Sequence, residues 1–163
     1  MQLISNNLSK QKFGKPVSPN TAAADRFVEK LLENIRFSED SELRNYWDRF
    51  CSDKDSLEEI YLVLGHSPFL ANILVAEPCF SRTLYSSGPE KALASIKSDL
   101  SRIDPYTASE ISLQRSLRVL RKKVALTCAV ADCHSAWELT TITQTLSDFA
   151  DAALSVAIKY LLL

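Results

Sequence analysis

The sequence predicts an all-α fold: a multi-helix domain with two long antiparallel C-terminal helices. Three observations carry this reading. In the C-terminal third, Leu113, Leu117, Leu120 and Val124 recur at steps of three and four, with Ala131 further along. Leu139, Ile142, Leu146, Phe149, Ala153, Val156 and Tyr160 then repeat the pattern, and such spacing gathers an apolar stripe on one side of a helix. Glycine occurs only at Gly14, Gly65 and Gly88, fewer than the turns of a parallel α/β sheet usually need. No stretch alternates apolar and polar residues as a strand does, and no hairpin dipeptide occurs.

The expected elements follow in order. Residues 1–20 hold Gly14, Pro16 and Pro19 among Ser, Asn and Lys and read as a flexible arm. Residues 21–163 read as one helical domain. Asn20 or Thr21 caps a first helix over 22–36, with Phe27, Leu31, Leu32 and Ile35 on its buried side. Ser38 caps the second helix, where Glu39, Asp40 and Glu42 suit the positive end and Leu43, Tyr46, Trp47 and Phe50 supply the apolar side. After a polar break at 53–56, a third helix over 57–64 ends at Gly65 in a left-handed conformation. Ser67-Pro68 restarts the chain as N-cap and first helical residue, and Glu77-Pro78 restarts it again. Gly88-Pro89 ends that piece. A helix over 89–102 follows, and Asp104-Pro105 is the last break. The two long helices then meet at a short polar turn near His134 and Ser135, where a short connection folds one helix back on the other.

A chain of 163 residues can bury a sizeable core. Its formal net charge of −1 gives no global attraction for nucleic acid or an acidic membrane. Residues 1–11 lack the apolar run of a secretory signal, and no apolar run is long enough to span a bilayer, so the expected compartment is the cytoplasm. Cys51, Cys79, Cys128 and Cys133 match no zinc spacing and read as reduced thiols in or near a core.

Four patterns invite a chemical reading, each with a plainer alternative. Asp53-Lys54-Asp55 has the carboxylate spacing that holds magnesium when a strand presents it; without strand or glycine-rich loop, helix capping is the preferred reading. Cys133 and His134 are neighbours, but adjacent helical residues point about 100° apart, so a histidine at a helix end is preferred over a thiol–imidazole pair. Tyr46, Trp47 and Phe50 could stack nucleobases, yet their helical spacing favours a core. Arg115, Arg118, Arg121, Lys122 and Lys123 form a basic run, with Arg115, Arg118 and Lys122 on one face. It is a candidate contact for a partner or adjoining domain, against the alternative of a solvated face. No catalytic, cofactor-binding or metal-binding residue is assigned.

Two stretches resemble a known family. Leu64-Gly65-His66-Ser67-Pro68-Phe69-Leu70-Ala71 resembles the L-x-G-N-S-P-F-L segment near the start of bacterial bifunctional glutamine synthetase adenylyltransferase/adenylyl-removing enzymes. Arg121-Lys122-Lys123, Ala129-Val130-Ala131-Asp132, Trp137-Glu138-Leu139 and the run from Leu146-Ser147-Asp148-Phe149 through Ala150-Asp151-Ala152-Ala153-Leu154 are similar to the segment before that family's first nucleotidyltransferase domain. The likeness covers roughly 22–163 in matching order. His66 stands where asparagine is common. Val124, Thr127 and Ala131 replace an acidic residue and arginines found in many members.

The resemblance implies the N-terminal helical portion of such an enzyme, which regulates nitrogen assimilation by attaching AMP to glutamine synthetase and removing it. The family's catalytic signature, a glycine-rich turn with lysine and then Ser-Asp-x-Asp, follows this segment. No catalytic role therefore transfers to any position here, and the chain is expected not to be catalytic by itself. ATP and Mg2+ are implied for the full-length family and not for this chain. The implied partners are glutamine synthetase and the PII signal protein, with neither nucleic acid nor membrane. The apolar C-terminal end, Tyr160-Leu161-Leu162-Leu163, suggests self-association. The alternative is an independent helical adaptor that binds a protein partner through the basic face.

Overall fold

The computed structural model describes residues 20–162, and these are all-α, with eight helices and no strand among them. The arm expected at 1–20 lies outside the described residues except for Asn20. Contacts divide the chain into two compact units, with the division along the sequence between Gly88 and Pro89.

The first unit holds α1 (Thr21–Arg36), α2 (Ser41–Ser52), α3 (Lys54–His66), α4 (Pro68–Ala76) and α5 (Pro78–Ser87). Helix α1 packs on α2, α3 and α4, while α5 packs on α2 and α4. Leu31, Ile35, Trp47, Ile60, Leu64, Leu74 and Leu84 are all buried in this unit. Each such aliphatic or aromatic side chain removed from water contributes about 1.5–3 kcal/mol before entropy is counted. Trp47 reaches its buried place without losing a hydrogen bond, because its indole N–H donates to the Pro78 carbonyl at 3.2 Å. The Asn34 amide donates to the Val75 carbonyl at 3.2 Å, and Ser81 Oγ to the Leu74 carbonyl at 3.1 Å. These bonds satisfy carbonyls near the end of α4 that the helix itself leaves free.

Capping explains most boundaries. Asn20 accepts from the Ala23 N–H at 2.9 Å, Asp40 from Leu43 at 2.9 Å and Ser67 from Leu70 at 3.3 Å. Pro68, Pro78 and Pro89 open their helices, where a missing N–H costs nothing. Three expectations are corrected. Asp40 and not Ser38 caps α2, because Ser38 Oγ instead accepts from the Asp40 N–H. The break at 53–56 shrinks to Asp53 alone, which closes α2 and caps α3 at once. Gly65 lies inside α3, with positive φ among the described glycines found at Gly88 (φ 91°); the helix instead stops at Ser67, whose side chain caps the next one.

The second unit holds α6 (Pro89–Ser101), α7 (Glu110–Cys133) and α8 (Leu139–Leu161). Helix α7 packs on both of the others, and Leu120, Val124, Leu126, Thr127, Cys128, Val130 and Ala131 are buried along it. Asp104 shapes the link before α7 by accepting from the Tyr106 N–H at 3.0 Å and the Thr107 hydroxyl at 2.9 Å. Ser109 caps α7 through the Ser112 N–H at 3.2 Å. The turn after α7 carries Ser135 at φ 51°. The Ala136 N–H donates to the Ala131 carbonyl at 2.7 Å, and the Trp137 indole donates to Glu90 Oε1 at 2.8 Å. That last bond fastens the turn to the start of α6.

The stripe read on α8 is largely uncovered. Only Ile142 and Thr145 are buried on this helix, whereas Leu139 is 73% and Leu146 44% exposed. Phe149 is half-buried. The α8 stripe expected from the spacing is therefore not enclosed at Leu146 and only partly covered at Phe149. Helix α8 has α7 as its main neighbour in this unit, and one neighbour covers a narrower arc than the apolar residues occupy.

Candidate functional site

The strongest candidate is an open groove along α7 and α8, about 770 Å³ in volume. From α7 it takes Leu117, Arg118, Arg121, Val124 and Ala125, and from α8 Leu146, Phe149, Ala150, Ala153, Leu154 and Ala157. The small residues keep the floor low, and the leucines stand beside it. Leu146, Ala150, Leu154 and Ile158 recur every four residues, so they form a second apolar row beside the one facing α7. Leu154 is 59% and Ile158 52% exposed.

The basic run is divided by this geometry. Arg118 and Arg121 line the groove. Arg115 and Lys122 are exposed on α7 away from its lining. Lys123 turns toward α6, where its Nζ lies 3.9 Å from Asp99 and its side chain is mostly covered. The Arg118 guanidinium donates to Gln114 Oε1 at 3.1 Å, and Gln114 donates to Glu110 at 2.9 Å, a polar row that holds Arg118 along the helix. What the arrangement offers chemically is an apolar trough with arginines on one edge, a surface shaped for packing against apolar groups.

The other candidates resolve into structure. Asp53 accepts the Ser56 N–H at 3.0 Å and its hydroxyl at 2.7 Å, and these bonds, the backbone one first, hold its carboxyl below the usual range. The carboxylate is a cap. His134 is the C-cap of α7, and burial lowers its pKa. Burial, then Asp132, pushes the Cys133 thiol up, the reverse of an activated nucleophile. Trp47 and Phe50 are buried and stack edge-on at 5.4 Å, with Tyr46 and Tyr85 around them, so the aromatics form a core cluster.

A second cleft, about 550 Å³, opens in the first unit beside Asp25, Glu29, Asp48, Cys51 and Tyr61. Sequence reasoning missed it, because its residues come from α1, α2 and α3. The Tyr61 hydroxyl donates to Asp25. Burial first, then the Asp25 hydrogen bond, pushes the phenol up to about 12. Burial and then Asp48 push Cys51 up to about 11. Neither is a ready nucleophile at neutral pH. Among the described residues no group of three or more His, Cys, Asp or Glu could hold a metal ion. No described helix is long and apolar enough to cross a membrane.

With this geometry in hand, the comparisons with known proteins locate the chain. The family model for glutamate-ammonia ligase adenylyltransferase matches residues 57–163. A bifunctional glutamine synthetase adenylyltransferase/adenylyl-removing enzyme of Xanthobacter autotrophicus is 38% identical over 96 residues, 59% of this chain and 10% of that protein. The enzyme of that name in Brucella suis is 30% identical over 111 residues, covering 68% of this chain and 11% of the relative. The Bartonella quintana one is 26% identical over 148 residues, 90% of this chain and 15% of the relative. No solved structure matches. The chain thus spans 10–15% of the length of these relatives. The match takes in most of α3 and everything from α4 to α8, groove included, and the chain belongs to the glutamate-ammonia ligase adenylyltransferase family.

Proposed function

We propose that this chain is the N-terminal helical portion of a glutamine synthetase adenylyltransferase/adenylyl-removing enzyme, and that it organises or docks the catalytic parts without doing chemistry itself. The single observation that carries the reading is the family match over 57–163. Helical architecture, thiols raised by burial and a groove built for packing support it. In this assignment the whole protein moves AMP from ATP to glutamine synthetase and takes it off again. Mg2+ would neutralise phosphate charge during that transfer. Glutamine synthetase is the substrate partner and the PII signal protein the regulator, all in the cytoplasm. The contribution of the helical segment is positional, since nucleotidyl transfer depends on holding reacting groups in line.

The test is a chimera. The matching segment of the Xanthobacter autotrophicus relative is replaced by this chain, and transfer of label from ATP to glutamine synthetase is measured with Mg2+. Activity within about tenfold of the parent enzyme is expected, and this chain alone is expected to transfer none. A folded chimera without activity sinks the assignment. It would favour the second reading, an independent adaptor that uses the exposed arginines of α7 to bind a protein partner. Transfer by the chain alone that is lost in Asp53→Asn/Asp55→Asn would make that cap an active site.

A further inference from the structure

We draw no further inference here: the strongest candidate, the open apolar groove that Leu146, Phe149 and Leu154 of α8 line with Leu117 and Val124 of α7, carries nothing because nothing in the structure shows what covers it.

Discussion

Asp53 shows how one carboxylate can look like a metal ligand and act as a cap. Its two bonds from Ser56 are made to the charged form, which is why its pKa lies below the ordinary 3.8. A lowered folded-state value means that the unfolded chain takes up a proton first on acidification. The contribution of Asp53 is therefore complete above pH 3.8 and lost as pH falls below it. In Asp53→Asn, which keeps a capping oxygen but cannot titrate, the melting temperature should fall less between pH 4 and pH 2 than in the parent; thermal scans at fixed salt check this. The cysteines make a second test at this scale. Cys128 is buried, and that burial pushes its thiol up to about 11, whereas Cys79 is exposed. Reaction follows thiolate and access. Under brief alkylation at neutral pH, mass spectrometry should find Cys79 modified first and Cys128 last. Equal rates at the two would contradict the packing of α7.

Among elements, α7 and α8 differ in how many neighbours they have, and that difference sets what a leucine is worth on each. Leu126 on α7 has no exposed surface. Leu126→Ala should cost about 2–5 kcal/mol, the range for a buried leucine whose site cannot fully collapse. Leu154→Ala, on the open side of α8, should change the stability of the monomer by about 0.5 kcal/mol or less. Urea titrations of the two variants measure the contrast. The same difference explains what the sequence could and could not tell. Caps at Asn20 and Ser67 and the prolines at 68, 78 and 89 were readable because capping is local chemistry. Coverage of α8 was not, since a helix with two apolar rows does not say which row its neighbour takes. The basic run was readable as a run, but its division was set by neighbours: α6 draws away Lys123, and α8 makes Arg121 a groove residue. Gly65 misled because left-handed glycine ends many helices, whereas here the following Ser67-Pro68 provides the stop.

At the scale of the molecule, all-α architecture means that far-ultraviolet circular dichroism should show helix with no sheet component; a clear strand signal would contradict it. Family membership places this chain against 10–15% of the relatives' length. The division at Gly88 and Pro89 has a practical consequence through the two tryptophans. Trp47 is enclosed in the first unit among Tyr46, Phe50 and Tyr85, and Trp137 is half-buried in the second with its indole bonded to Glu90. Each half thus carries its own fluorophore, in surroundings of different polarity. Trp137→Phe should emit at shorter wavelength than Trp47→Phe in the native state, because it leaves only the enclosed indole. Followed through a denaturant series, the two variants give separate optical records of each half's unfolding, so the colour of the emitted light reports whether both halves let go together.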